Sequence, residues 1–488
     1  MYLGLDLGTG SAKALLLDAN GATVGETSAA YHAVSPHAGW SEIDPEIWLQ
    51  ALTTCVQALP AGARAAVKGI GLSGQMHGVV LSDAQGNALR PAVLWLDTRA
   101  VAQLARYPTL ADSLKRLGNA PSAGMAGPIL LWLAEHEPIG LQAARWALQP
   151  KDWLRLRLTG IAGSEASDAS GTLLADRQGR WDRSLLETLG LPDRLLAPHF
   201  ASHEAAGTLT ASVAAAWGLP ADTPVAAGGG DTPVAALGSG LLLDGSAQLT
   251  TGSGAQIVVL RHTLPAPSAK LNSYRTAAPP ELPRWYTMAA MQNAGVALEW
   301  ARRTLGLDWP AAYAAAFGSS LRTDDELFFL PYLGGERTPW MDAQVRGAWV
   351  GLSPGTDNGA LMRAAFEGVA FAIRAGLDAL HAQGTRPTQL RLAGGGSVHR
   401  AWQQLLMDVL QLPLEAVDCP NASARGAALL GGLAAGHWST ADLYALAPAC
   451  HPVGEPASVR YALPYRRFCD LYARLAGWFG RDGLQTEN

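Results

Sequence analysis

The chain has 488 residues, 49% apolar and 16% charged, which is enough for two or three domains with sizeable cores and too apolar for a disordered chain. A net charge of −5 and a pI near 6.1 exclude a basic nucleic-acid footprint, and no apolar run reaches the ~18–20 residues that span a bilayer. Cys55, Cys419, Cys450 and Cys469 lack C-x-x-C spacing and paired His ligands, which excludes a disulfide frame or zinc site. The expected compartment is the cytoplasm, and the expected partners are small molecules, with neither nucleic acid nor membrane.

No secretory leader is expected, because Met1–Leu5 already reads as strand and Asp6 interrupts any apolar leader core. Three short strands open the chain: Tyr2–Asp6, Ala12–Leu17 and Thr23–Ala30, joined by turns too short for a crossover and hence antiparallel. A helix is predicted from Asp44-Pro45 toward Ala58, with Asp as cap and Pro in the first turn. A buried strand over Val67–Leu72 then runs into Ser73-Gly74-Gln75-Met76-His77-Gly78. Near the middle the pattern echoes itself. Thr9–Leu17 resembles Thr251–Leu260, and Val67–Gly74 resembles Leu390–Gly396. Two domains built on the same hairpin are expected, residues 1–240 and 241–488.

Three glycine-rich elements carry the chemistry. In Gly4-Leu5-Asp6-Leu7-Gly8-Thr9-Gly10-Ser11 a carboxylate ends a strand beside a tight turn, whose N–H groups can approach polyphosphate because glycine adds no Cβ. Asp6 could hold Mg²⁺ through water; a plain hairpin with Asp6 capping its turn accounts for the residues equally well. In Val225-Ala-Ala-Gly228-Gly229-Gly230-Asp231-Thr232-Pro233 a strand delivers Asp231 to its end, ahead of a helix. There it could accept a proton from a sugar hydroxyl, or simply cap the helix. The third element, Leu390 to Gly394-Gly395-Gly396-Ser397, is a strand–helix turn that could also lie flat against a base or ribose. The P-loop, the protein-kinase loops, H-E-x-x-H and G-x-S-x-G are all absent.

The order of these elements resembles the FGGY carbohydrate kinases, of the actin–hexokinase–Hsp70 ATPase fold. The strings Gln75–Gly78, Pro150–Gly160, Ser167–Thr172 and Phe329–Pro339 resemble its xylulokinase branch. The likeness runs from Met1 to about Gly432. It implies an α/β fold of two actin-like (ribonuclease H-like) domains, each a mixed five-stranded sheet flanked by helices, with the ligand cleft between them. It also implies Mg-ATP-dependent phosphorylation of D-xylulose to the 5-phosphate. Asp231 then matches the general base, and Asp6 the carboxylate that organises Mg²⁺, with Asp231 a second candidate for the metal. Gln75, Met76, His77 and Asp231 match the sugar site. Thr9, Gly10 and Ser11 match one phosphate hairpin, Gly252, Ser253 and Gly254 the other, and Gly394, Gly395 and Gly396 the adenosine contact. A homodimer is implied by the resemblance alone.

The chain departs from the family at four places, one of them Ala360 at a position that is normally polar; the other three bear on the site. It has Asp231-Thr232 for Asp-Asn, Gly252 where a threonine is usual, and Ile129 for a lysine. The first keeps other pentuloses, pentitols and gluconate open as substrates. The second leaves open whether Thr251 supplies the missing hydroxyl. With the third it also keeps open a catalytically silent sugar or nucleotide sensor.

Overall fold

The apolar runs at the N-terminus fold as the hairpins their short turns require. In the computed structural model, which describes residues 1–318, 326–395 and 398–479, strands β1 (Tyr2–Leu7), β2 (Ser11–Leu17) and β3 (Thr23–Ala30) pair antiparallel. Helix α1 (Pro45–Ala58) starts where the sequence predicts: the Asp44 carboxylate accepts from the Glu46 N–H, with Pro45 in the first turn. It carries the chain to β4 (Gly69–Gly74), parallel to β1. This strand begins two residues later than Val67, because the Val67 N–H bonds back to Arg64 O and closes a helical turn there. Beyond β4 the sheet continues through β6 (Pro224–Ala226), parallel, to β5 (Ala205–Thr208), antiparallel, while β7 (Gly229–Gly230) pairs with the end of β4.

The second sheet repeats this plan. Strands β8 (Ala247–Thr251) and β9 (Ala255–Arg261) form its hairpin, and β10 (Asn272–Arg275) and β11 (Trp285–Met291) extend it antiparallel. On the other side, β12 (Leu390–Ala393) and β13 (Leu414–Val417) run parallel, and β14 (Cys450–Gly454) closes the edge antiparallel. The orders β3-β2-β1-β4-β6-β5 and β11-β9-β8-β12-β13-β14 correspond strand for strand. The two sequence echoes are therefore equivalent hairpins and equivalent first parallel strands.

Each sheet has seven strands where five were expected. The five-stranded mixed core is present in both, and the additions lie at the periphery. Ala205–Thr208 is four weakly β-forming residues with a register shift, and Cys450–Gly454 contains Pro452, tolerated because the strand lies at an edge.

Separate cores fill the two layers, one around Leu5, Leu16, Trp48 and Ile70, the other around Ile257, Phe366, Leu392 and Leu406. One late element crosses between them. Helix Ala422–Ala434 lies directly on β1 and β4, so close that a Cβ on Gly4 would meet Ala424 O at 1.8 Å and one on Gly71 would meet Ala427 O at 1.8 Å. Only glycine permits that approach. All four cysteines are unpaired, and among the described residues no helix is long and apolar enough to cross a membrane.

Candidate active site

The parallel pairing of β1 with β4 sets Asp6 opposite Ser73, whose hydroxyl donates to Asp6 Oδ1 at 2.8 Å. Burial pushes the Asp6 carboxyl above its ordinary range, and the Ser73 hydroxyl and Lys13 charge oppose it. Asp231 opens helix α2 (Asp231–Gly238). The cap position is taken by Gly230, so the Asp231 carboxylate is not consumed by capping; among the described residues it accepts only from its neighbour, Thr232 N at 2.6 Å and Thr232 Oγ1 at 3.3 Å. Burial first, and the Asp6 charge second, raise Asp231 to about 6. Two carboxylates that disfavour each other's charge make a place for a cation.

Around this pair the expected residues converge. The first hairpin is closed by Gly8 N donating to Ser11 O, with Gly10 exposed at its tip. Its Thr9 hydroxyl accepts from the Trp95 indole at 3.1 Å. Gln75 lies beneath that hairpin, buried, with its amide donating to Gly8 O at 3.3 Å. Met76 packs on Gly230, where a Cβ would stand 2.7 Å from Met76 Cγ, and its sulfur accepts from the Tyr286 hydroxyl at 3.8 Å.

His77 takes a left-handed backbone, φ 75°, and sets Nδ1 2.7 Å from Gly171 O. A carbonyl only accepts, so Nδ1 carries the proton. Burial, helped by the Arg337 charge and opposed by the Gly171 bond, holds the ring at about 4, neutral at physiological pH with Nε2 left as an acceptor.

The second hairpin is closed by Gly252 N donating to Gly254 O. The Thr251 oxygen is buried and without a partner among the described residues. Strand alternation turns Thr250 outward instead, and Thr250, Gly252, Ser253 and Gly254 line a cavity of about 460 Å³ with Trp95 and Arg337. A second, apolar cavity of about 340 Å³ lies behind it, lined by Gly252, Leu298, Trp309, Tyr313, Ile373 and Gly395. Its size and aromatic walls suit a purine. Gly394 follows the end of β12, just before Gly395; Gly396 lies outside the described residues. Ile129 is wholly buried among Leu130, Leu133 and Leu173, so the position of the family's lysine is a core position in this chain.

Four groups escaped sequence reasoning. Trp95 and Tyr274 sit in stretches without glycine punctuation, Thr250 and Arg337 stand beside glycine turns without being marked by them, and only the packed sheets bring all four to the cleft. The same holds for a buried charge cluster under the Asp231 strand. Lys151 Nζ stands 2.6 Å from Asp152 Oδ1 and 3.3 Å from both Glu165 Oε1 and Asp168 Oδ2. Arg155 pairs with Asp152 at 3.1 Å, and Ser167, bonded to Glu165, receives the Gly230 N–H at 3.0 Å. Burial alone would lower Lys151, but the three carboxylates outweigh it and hold the amine above its ordinary range, while burial raises Asp168 well above its own.

The model for the N-terminal domain of the FGGY family of carbohydrate kinases matches residues 1–238, and that for the C-terminal domain matches residues 248–435. The xylulose kinase of Escherichia coli (strain K12) is 38% identical over 416 residues, 84% of each chain. That of Klebsiella pneumoniae is 36% identical over 419 residues, 85% of this chain and 86% of its own. The crystal structure of xylulose kinase from Rhodospirillum rubrum has a TM-score of 0.88 at 29% identity, covering 98% of this chain and 100% of the other. Two domain models that between them match most of the length leave one conclusion: the chain belongs to the FGGY family of carbohydrate kinases and is an ATP-dependent sugar kinase.

Proposed function

We propose that the enzyme transfers the γ-phosphoryl group of ATP to O5 of D-xylulose, with Asp231 as general base. The observation that carries this reading is the position of Asp231. It is a carboxylate raised to about 6, with no donor among the described residues but its own neighbour, adjoining both the Met76–His77 pocket and Asp6 at the root of the phosphate hairpin. The names of the E. coli and Klebsiella relatives support the choice of sugar.

Asp231 takes the proton of the C5 hydroxyl as that oxygen attacks phosphorus in line. Gln75 props the hairpin of Thr9, Gly10 and Ser11, which with Gly252, Ser253 and Gly254 cradles the phosphates. Gly394 and Gly395 back the purine cavity. Met76 and His77 line the sugar. Two neighbouring carboxylates, each with a single partner residue among the described residues, fit Mg²⁺, which uses few carboxylates and keeps its waters; Asp6, with Asp231 beside it, would hold the ion, which would supply charge neutralisation at the phosphates.

ADP release with Mg-ATP, measured against D-xylulose, D-ribulose, L-ribulose, L-xylulose, xylitol, D-arabinitol, glycerol and gluconate, tests the substrate. D-xylulose is expected to give the highest kcat/KM. The Thr232 hydroxyl is turned to Asp231, so its replacement of an amide removes a sugar contact without creating a new one; preference for another sugar would refute the assignment. The base also predicts a pH limb. With Asp231 near 6, activity falls about tenfold per unit below that pH as the carboxylate is protonated, and a profile flat to pH 5 would exclude it.

A further inference from the structure

Acceptance of phosphate at O5 fixes the form of the sugar, and this step rests on the function just proposed. In a five-carbon 2-ketose, ring closure onto C2 to a furanose consumes the C5 hydroxyl. The molecule with O5 free is the open chain, whose C2 carbonyl is uncovered and only accepts hydrogen bonds. A pocket selecting it therefore needs donors.

The wall contributed by residues 75–77 and 230–232 supplies acceptors. The His77 Nδ1–H is spent on Gly171 O, which leaves Nε2 as a lone pair. Asp231 accepts, and the Thr232 N–H and hydroxyl are both directed at it. The Tyr286 hydroxyl donates to Met76.

Donors come from the opposite sheet. Tyr274, on β10 and paired with Tyr286 on β11, packs its ring 5.7 Å from that of His77 and 5.6 Å from that of Tyr286. It is 1% exposed, and its hydroxyl is the one tyrosine oxygen among the described residues that is both buried and without a partner. Arg337 lines the cavity with Trp95, near enough that its charge adds to the lowering that burial gives His77 and opposes the rise that burial gives Tyr274. Among the described residues its guanidinium makes no hydrogen bond or ion pair, although its backbone is firmly held. Arg337 N donates to Glu336 Oε1, Asn293 Nδ2 donates to Glu336 Oε2, and the next residue, Thr338, donates its N–H to Ala290 O and its hydroxyl to Lys270 O. A buried hydroxyl left unpaired costs free energy that a ligand oxygen would recover. Met76 packs on Gly230, the residue before Asp231, and the next residue, His77, packs on Tyr274, so the Met76–His77 wall meets the base strand at one side and the tyrosine at the other.

We propose that the Tyr274 hydroxyl and the Arg337 guanidinium hold the C2 carbonyl of an open-chain 2-ketose and make the site select ketoses over the matching pentitols. The test is calorimetric titration of D-xylulose and of xylitol into the wild type, Tyr274→Phe and Arg337→Met, with ADP release followed alongside. The wild type should bind D-xylulose more tightly than xylitol. Tyr274→Phe should lose about tenfold on D-xylulose and little on xylitol, and Arg337→Met should also narrow the ratio. Thermal unfolding of ligand-free Tyr274→Phe should occur at or above the wild-type midpoint, because no protein hydrogen bond is removed. An unchanged ketose-to-pentitol ratio in both variants overturns the proposal, as does a wild type that does not discriminate, and a lowered midpoint with an unchanged ratio marks the hydroxyl as structural. Sugar binding with the expected ratios but without ADP release refutes the kinase reaction at O5 and leaves the selection of ketoses standing.

Discussion

Asp231→Asn will lower kcat for the sugar by roughly 10³-fold, within the 10²–10⁴ range of a lost general base, and will leave sugar affinity within a few-fold. The amide has the shape of the carboxylate and can still accept from the Thr232 N–H, so the start of its helix is preserved. It cannot take a proton. Stability should move the other way. The folded carboxyl, at about 6, binds its proton more tightly than the unfolded one at 3.8. The stabilisation this gives is complete below the unfolded value and is lost as the pH rises through about 6. At pH 7 an ionised carboxylate therefore sits buried beside Asp6 at a cost of about 1–3 kcal/mol, which asparagine removes. An inactive protein that melts above the wild type is the expected combination. Near-normal turnover would mean that another group takes the proton.

Lys151→Met should cause the largest loss of stability. The amine is wholly buried against Asp152, Glu165 and Asp168, and its removal leaves Arg155 as the only cation in contact with that cluster among the described residues. Breaking a buried ion pair on one side costs about 3–5 kcal/mol, because the carboxylates left behind are desolvated and uncompensated. An exposed pair offers the control: Arg180 bonds Asp176 but is 75% exposed, and Arg180→Ala should cost under about 1 kcal/mol. Urea unfolding of both variants compares them. Lys151→Met should also lower kcat, since Ser167 in the same cluster holds the Gly230 N–H one residue before the base. Equal midpoints for the two variants would show that the buried cluster contributes no more than surface charge.

The sequence revealed the parts of this site that depend on backbone. Glycine turns after apolar runs mark places where the chain must bend tightly or meet a ligand, so both hairpins, the Asp231 strand end and the turn after Leu390 could be placed from residue order alone. The internal echo could be read for the same reason, and the sheets confirm it strand for strand. Side chains that reach the cleft from afar could not be read. Tyr274 and Arg337 are 63 residues apart in the chain and share a pocket wall only because β10 and the Glu336 loop are fixed by separate bonds. Thr250 and Thr251 look interchangeable in sequence; the pleat alone turns Thr250 to the hairpin's cavity and leaves the Thr251 oxygen buried on the other side. The edge strands escaped notice because few of their residues are buried and their composition is that of loops.

The placement of helix Ala422–Ala434 on β1 and β4 has a consequence for synthesis. The sheet that holds these strands is complete by about residue 230, yet the helix leaves the ribosome about 200 residues later. At 5–20 residues per second this is a delay of roughly 10–40 s. For that time the Gly4–Gly71 face of the first sheet is uncovered, a smooth surface where Gly4, Gly69 and Gly71 leave main chain accessible. Such a nascent chain is a natural client for a chaperone that shields unpaired β surface, and lowering the expression temperature, which slows aggregation of that intermediate, should raise the soluble yield more than strengthening the promoter.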